Sequence, residues 1–197
     1  MRRVAWGDAT WLNPPPAATV DGADLVVTAG AGTDLWRTTA YGFVHNNGHA
    51  LLTPLPVGTA VEVRFVADLT GRFDQAGALV WVDEQRWTKA GCEQSDGALQ
   101  MGAVVTGRVS DWSVAPVPEW AGRQVTVRAS RGADALIVRA RVDDEPWRLI
   151  RLSPFPGDAA ASAGPYFCAP EREGLQVRFT GFAVGPADTE IHPGETA

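Results

Sequence analysis

Lysine is almost absent from this sequence of 197 residues: Lys89 is the only one, and the other sixteen basic residues are arginines. Acidic residues are in excess, which gives a formal net charge of −6 and an isoelectric point near 5.0. A nucleic-acid surface needs a basic stripe to meet the phosphates, so this balance argues against a nucleic-acid partner. The preference for arginine, with abundant alanine, glycine, valine and proline, is typical of a GC-rich coding sequence.

Cysteine is also scarce, and long hydrophobic runs are missing. The two cysteines, Cys92 and Cys168, are predicted to be reduced and not bonded to each other. No stretch approaches the roughly 20 apolar residues that span a bilayer, and no apolar segment follows the two arginines at the start. We therefore expect a cytoplasmic protein without a part in the membrane.

Helical periodicity is missing as well, whereas apolar and polar residues alternate in at least five segments: 61–65, 99–105, 125–129, 136–142 and 175–179. Alternation with a period of two is typical of half-buried antiparallel strands. Turns rich in Gly, Asn and Asp separate these segments. The sequence therefore predicts an all-β sandwich or barrel. We expect one domain over residues 1–197, with a core at about 11–184 and a loose tail at 186–197.

The segment that contains the single lysine has the most informative pattern. Along an extended strand, Trp87, Lys89, Gly91 and Glu93 lie on one face. A ring, an ammonium group, a gap and a carboxylate on one face could build a polar pocket. The alternative interpretation of each charge is a cross-strand ion pair on a solvated face, which contributes about 0–1 kcal/mol.

Further candidates for the pocket come from neighbouring segments. Gln75 could form part of its rim, but the turn length after its strand is open, so it is not fixed which face of strand 75–83 joins Lys89. Trp112, at a predicted loop tip, could stack on a sugar ring, or it could fold inward while Asp111 forms a local turn.

Two arginines on predicted neighbouring strands complete the candidate set. Arg128 lies opposite the apolar face of its strand and could reach a ligand. Arg151 shares its face with apolar residues, so it could instead be a buried, paired arginine. The eight candidates for ligand binding are therefore Trp87, Lys89, Glu93, Gln75, Asp111, Trp112, Arg128 and Arg151.

Patterns that would indicate catalysis or a metal are missing. A retaining glycosidase needs two carboxyl groups about 5–5.5 Å apart, and no Glu-x-Asp-x-Glu run is present. His45 and His49 flank a predicted turn and have no third ligand nearby in sequence, so no metal is expected. No phosphate-loop spacing occurs either. The sequence thus predicts no catalytic residue and no cofactor.

Several short motifs, taken in order, resemble the regulation-of-enolase protein family, a group of unknown function within the concanavalin A-like lectin/glucanase superfamily. These motifs are Thr33–Arg37, Tyr41–Val44, Asp74–Gly77, Trp87–Glu93, Val104–Thr106, Ser110–Ser113 and Gly174–Phe179. The resemblance extends over about residues 11–184. It implies a jelly-roll sandwich of two antiparallel sheets, with a concave face on which superfamily members bind or cleave carbohydrates.

We therefore expect a non-catalytic jelly-roll domain that binds a small polar or carbohydrate-like ligand on its concave face. One alternative is a protein-interaction module that regulates a metabolic enzyme such as enolase, as the family name implies. A glycoside hydrolase or lyase is a further alternative. It requires two carboxyl groups that converge in the groove.

Overall fold

The computed structural model of the chain describes residues 1–192. Nearly all regular structure in this part is β-strand, apart from short 3-10 helices at Trp6–Asp8 and Pro118–Trp120. In chain order the strands are β1 (Arg2–Arg3), β2 (Thr10–Leu12), β3 (Ala17–Asp21), β4 (Asp24–Thr28), β5 (Leu35–Arg37), β6 (Val44–Asn46), β7 (His49–Pro54), β8 (Thr59–Val66), β9 (Gln75–Asp83), β10 (Arg86–Ser95), β11 (Ala98–Gly107), β12 (Ser110–Pro116), β13 (Gln124–Arg131), β14 (Ala135–Val142), β15 (Arg148–Pro154), β16 (Ser162–Cys168) and β17 (Gln176–Pro186).

The strands form two large antiparallel sheets and a separate hairpin. The eight-stranded sheet has the order β15-β14-β13-β8-β17-β4-β3, with β1 added beside β17. The seven-stranded sheet has the order β12-β11-β10-β9-β16-β7-β2, and β5 pairs with β6. The expected all-β jelly-roll sandwich of two antiparallel sheets is confirmed.

The main hydrophobic core lies between the facing surfaces of the two sheets. Val61, Val63 and Phe65 of β8 are fully buried in it, and Ala90 and Cys92 of β10 belong to the same core. The prediction from alternation is confirmed, because nearly all of the alternating apolar residues in the five predicted segments belong to this core. The residues between them point away from the opposite sheet.

A second, smaller core lies on the outer face of the seven-stranded sheet, where the β5–β6 hairpin covers it. Leu35 and Trp36 from β5 pack there against a cluster that includes Leu79, Trp87 and Val104. Because the hairpin is held above the sheet by this apolar contact, it forms a roof over part of the outer face.

The two cysteines lie in different cores and are not bonded to each other, as predicted. Cys92 belongs to the main core between the sheets, whereas Cys168 belongs to the smaller core under the hairpin. Burial raises the pKa of both thiols well above the ordinary value.

The sequence predicts a loose tail from residue 186, but the structure holds the described part of it against the eight-stranded sheet. Arg128 donates to the carbonyl oxygen of Pro186, and Arg139 donates to that of Ile191. These two guanidinium groups fix the segment, because they supply charged donors on the sheet surface below it. The predicted looseness of residues 193–197 falls outside the described residues.

Candidate functional site

Strand β10 presents the predicted face to the region under the hairpin. Its inward residues, Ala90 and Cys92, belong to the main core. Trp87, Lys89 and Glu93 alternate with them and therefore point away from the eight-stranded sheet. The sequence interpretation of this segment as one polar and aromatic face is thus consistent with the strand.

The register between β9 and β10 answers the question that the sequence left open. Glu93 pairs with Gln75, and Lys89 pairs with Leu79. An irregularity between Arg86 and Trp87 shifts the register at the turn, and a shift of one residue changes which face a side chain joins. Gln75 therefore shares the outer face with Lys89 and Glu93.

Lys89 is buried, with 3% of its surface exposed, and it forms the centre of a polar network. Its Nζ donates to Asp34 Oδ1 at 2.8 Å and to Gln75 Oε1 at 2.7 Å. Asp34 also accepts a hydrogen bond from the backbone N–H of Leu35 at 2.7 Å. Burial alone lowers the pKa of Lys89, but the charge of Asp34, helped by that of Glu93, outweighs it and raises the pKa. Lys89 is therefore an ammonium ion.

Glu93 lacks such a network. Its Oε1 is buried and has no hydrogen-bond partner among the residues that the structure describes. Burial raises the pKa of Glu93, and the positive charge of Lys89 offsets only part of this effect. A buried acceptor without a donor is costly, and it is common where a ligand completes the bonding.

Four aromatic side chains form a wall next to this polar cluster. The rings of Trp36 and Trp112 meet edge to face with centroids 6.2 Å apart, and Trp36 meets Tyr41 at 5.5 Å. Tyr41 and Phe43 stack at 5.4 Å with an interplanar angle of 9°. These last two rings are 56% and 42% exposed, so the wall continues to the protein surface.

The loop between β5 and β6, which carries Tyr41 and Phe43, has an unusual backbone conformation. Thr38 and Ala40 have positive φ values of 64° and 60°, which β-branched and other side chains adopt rarely. The conformation is fixed by hydrogen bonds from Thr38 N to Phe43 O and from Gly42 N to Thr38 O, both 2.7 Å long. Such strain is found at functional sites more than elsewhere.

Together these groups enclose a cavity of about 420 Å³ between the hairpin and the sheet. We call it the hairpin pocket. Its floor is polar, one side is the aromatic wall, and the other side carries an exposed Arg72–Glu171 ion pair of 3.6 Å. It is lined by Gly32, Asp34, Trp36, Tyr41, Phe43, His45, Arg72, Phe73, Gln75, Lys89, Glu93, Val104, Trp112, Pro170 and Glu171.

A row of glycines lies on the same outer face between Lys89 and Glu93. Gly91 pairs with Gly77 on one side and with Gly102 on the other. A Cβ added at Gly91 would lie 2.1 Å from the carbonyl oxygen of Ala76. The gap that the sequence places between the two charges is therefore imposed by a close approach of the strands.

Four of the eight predicted binding residues line the hairpin pocket, namely Gln75, Lys89, Glu93 and Trp112. The sequence suggested a loop tip for Trp112, but this residue lies within β12 and lines the pocket from there. Trp87 is on the same face, but it is 1% exposed and packs in the small core, so it supports the hairpin and does not reach the cavity.

The other three predicted residues lie elsewhere. Arg151 donates to Asp111 Oδ2 at 2.8 Å and to Ser113 Oγ at 3.1 Å, so it joins the edge strands β15 and β12 of the two sheets. Asp111 is therefore in an ion pair and not in a local turn. Arg128 is on the outer face of the eight-stranded sheet, where it binds Glu62 at 2.9 Å. The positions of the two arginines follow from topology, because β13 and β15 belong to the other sheet.

Sequence reasoning missed the hairpin's contribution to the pocket. Asp34, Trp36, Tyr41 and Phe43 all lie in the motifs that carried the family resemblance, which was the only available signal. His45 was interpreted as a surface or turn residue, but it lies in β6, lines the pocket and contacts the Phe43 ring at 4.7 Å.

Two further findings concern metals and membranes. Among residues 1–192, no group of three or more His, Cys, Asp or Glu side chains is arranged to hold a metal ion. Within the same described range, no helix has the length and apolar character needed to cross a membrane.

The chain is similar in sequence to a protein family and to a protein of yeast. The family model described as "Protein of unknown function (DUF1349)" matches residues 11–187. "Regulation of enolase protein 1" of Saccharomyces cerevisiae is 34% identical over 184 residues, which cover 93% of this chain and 92% of that protein. The family resemblance inferred from the motifs is confirmed.

Solved structures agree with the fold. A crystal structure of "a functionally unknown protein" from Saccharomyces cerevisiae superimposes with a TM-score of 0.87 and 33% identity, covering 93% of this chain and 98% of that one. A xylan β-1,4-xylosidase from Bacillus halodurans has a TM-score of 0.64 at 12% identity, covering 82% of this chain and 32% of that enzyme. The second likeness shows a shared sandwich fold alone.

Proposed function

The chain belongs to the DUF1349 family, and we propose that it binds a small hydroxyl-rich ligand, such as a sugar, in the hairpin pocket. The observation that carries this proposal is a buried charged floor beside an exposed aromatic wall. The volume of about 420 Å³ is in the range of small-molecule sites. A non-catalytic binding role is the simplest function for such a site.

The aromatic wall supports a ligand with a flat apolar face. Tyr41 and Phe43 present exposed rings next to the deeper Trp36 and Trp112. Aromatic side chains give large contact areas and stack on apolar surfaces. The C–H face of a pyranose ring has this character, and the same molecule carries hydroxyl groups along its edges.

The polar floor supports the hydroxyl groups of the same ligand. Lys89 has three N–H donors, of which two are used by Asp34 and Gln75. Glu93 offers an acceptor without a partner among the described residues. Because a hydroxyl both donates and accepts, neighbouring hydroxyls suit an ammonium donor placed near a carboxyl acceptor.

Calorimetric titration with a panel of mono- and disaccharides tests the proposal. We expect binding by the wild type and weaker binding by Glu93→Gln, about tenfold to a hundredfold, because a charged hydrogen bond is lost. Tyr41→Ala should also weaken binding, whereas Val20→Ala, an equally exposed residue on β3, should not. If no member of the panel binds at millimolar concentration, a sugar is not the ligand.

A second function is supported by the name of the yeast relative, "Regulation of enolase protein 1". In this function the domain contacts a metabolic enzyme such as enolase, and the ligand state of the hairpin pocket changes that contact. Sedimentation of purified enolase with and without this protein tests it. A complex would favour regulation by contact, and two independent boundaries would exclude it for that enzyme.

A third function, hydrolysis of a glycoside, is favoured by one observation. Asp34 and Glu93 both line the hairpin pocket, although the sequence offered no pair of carboxyl groups. Burial raises the pKa of Glu93, which is the direction that a general acid requires, and Asp34 is bonded to an ammonium ion. Turnover of oligosaccharides by the wild type that is abolished in Glu93→Gln would establish catalysis in place of simple binding.

A further inference from the structure

The outer face of the eight-stranded sheet carries a cluster of arginines that the hairpin pocket does not involve. Arg128 on β13 pairs directly with Arg139 on β14. One position along the outer face, Thr126 pairs with Arg64 of β8 and with Arg141 of β14. We call these four arginines the arginine face. It concentrates positive charge on a protein whose formal net charge is −6.

The pair at the centre of this face needs an anion. Like charges directly opposite each other on neighbouring strands are destabilising. Asp188 relieves this repulsion, because its Oδ1 accepts from Arg128 Nε at 2.8 Å and its Oδ2 accepts from Arg139 Nε at 3.1 Å. Glu62 supplies a further carboxylate to Arg128.

Peptide carbonyl groups of the same segment are bound as well. Arg128 Nη2 donates to the oxygen of Pro186 at 2.7 Å. Arg139 Nη2 donates to the oxygens of Glu190 and Ile191 at 3.1 and 2.6 Å. One acidic side chain and three backbone carbonyls therefore hold the segment 186–191 on the arginine face, which is how an extended acidic peptide would bind.

Pro186 ends β17 and Ala187 donates its backbone N–H to Gly58, so residues 188–191 are the part of this segment that can exchange. Its side chains are exposed or half-buried, and none is fully buried. Arg139 is only 7% exposed while the segment lies on it, so this segment covers a charged donor that its release would uncover. A cavity of about 670 Å³ continues beside the segment towards Trp147, on which Arg141 stacks at 4.7 Å. The Nε of Arg141 is buried and has no partner among the described residues, so the surface retains an unused donor.

We propose that the arginine face is a docking site for an acidic peptide segment of another protein, and that residues 186–191 occupy it as an internal competitor. A peptide is favoured over a nucleic acid because three backbone carbonyl oxygens fill guanidinium donors of this face. The site lies on the other sheet from the hairpin pocket, so it stands or fails independently of the proposed sugar binding.

Fluorescence anisotropy with a labelled peptide of sequence Pro-Ala-Asp-Thr-Glu-Ile-His, which is residues 186–192, tests the proposal on the full chain. In the wild type the tethered segment competes at high effective concentration. Asp188→Asn removes the negative charge and one of the two acceptor oxygens, and this variant should bind the free peptide at least tenfold more tightly than the wild type. Thr189→Ala, a change in the same exposed segment, should bind it like the wild type.

A second set of measurements shows whether the arginines are responsible. Arg139→Gln added to Asp188→Asn should reduce peptide binding at least tenfold, and so should replacing the aspartate of the peptide by asparagine. Arg128→Lys in the same background serves if Arg139→Gln does not fold. Equal binding by wild type and Asp188→Asn, equal binding of both peptides, or tighter binding of an oligonucleotide of matched charge would each overturn the proposal.

Discussion

Lys89 Nζ lies 2.8 Å from Asp34 Oδ1, so the single lysine of the chain is bonded to a residue 55 positions earlier. This contact joins the floor of the hairpin pocket to its roof, because Lys89 belongs to β10 and Asp34 precedes β5. Structure and binding are therefore coupled here: a change that weakens the contact also displaces the wall that would hold a ligand.

Lys89→Met should lower the free energy of unfolding by about 3 kcal/mol, the lower end of the range for breaking a buried pair. The lower end is expected because 16% of the Asp34 side chain is exposed. Urea denaturation measures the change. Arg86→Met is the control, since its ion pair with Asp83 is exposed on the surface and should contribute about 0–1 kcal/mol. Similar losses in the two variants would contradict a structural role for Lys89.

Glu93→Gln should stabilise the protein at neutral pH by about 1 kcal/mol, since it removes a desolvated, incompletely bonded carboxylate. The folded pKa of Glu93 is raised above 4.5. Protonation of this group therefore favours the folded state, and its contribution is present below pH 4.5 and is lost as the pH rises through the folded pKa. The advantage of the variant should consequently grow with pH.

Unfolding of Glu93→Gln and wild type in urea at pH 4 and pH 7.5 checks both the sign and the trend. Glu171→Gln is the matched control, because it changes an exposed carboxylate on the rim of the same pocket. A lower stability of Glu93→Gln at pH 7.5 would show that the carboxylate is satisfied in the folded protein.

The fold was predictable because it depends on local alternation and short turns. Val61, Val63 and Phe65 indicate one buried face without any knowledge of the rest of the chain. The same holds for the face of Lys89 and Glu93, since the strand period alone places them together.

The rest of the site was not predictable from the sequence, because it depends on register and on long-range contacts. The irregularity at Arg86 and Trp87 decides that Gln75 joins Lys89, and no residue type signals it. Asp34 reaches the pocket through a hairpin that pairs with neither large sheet. Arg128 alternates in the same way as Lys89 does, but its strand belongs to the other sheet, so periodicity could not separate the two sites.

Both thiols should be unreactive in the folded protein and free after unfolding. Cys92 and Cys168 are buried and unbonded, and burial raises their pKa values, which suppresses the reactive thiolate. Titration of unreduced protein with an aromatic disulfide reagent should find about two thiols in denaturant and almost none without it. Rapid reaction of one thiol in native buffer would indicate that the hairpin above Cys168 opens easily.

Gly91→Ala should destabilise the protein by about 1–3 kcal/mol or more, because the added methyl group overpacks a closed strand pair. Its Cβ would lie 2.1 Å from the Ala76 oxygen and 2.7 Å from the Gly77 Cα, and neither backbone can move without separating β9 from β10. Gly107→Ala is the control, since Gly107 lies in the same sheet and a Cβ there meets nothing within 4 Å.

Separation of the strands would also pull Gln75 away from Lys89, so Gly91→Ala should weaken ligand binding as well as stability. Thermal unfolding and titration of the two variants decide the matter: equal melting temperatures would mean that the glycine row is not a packing requirement.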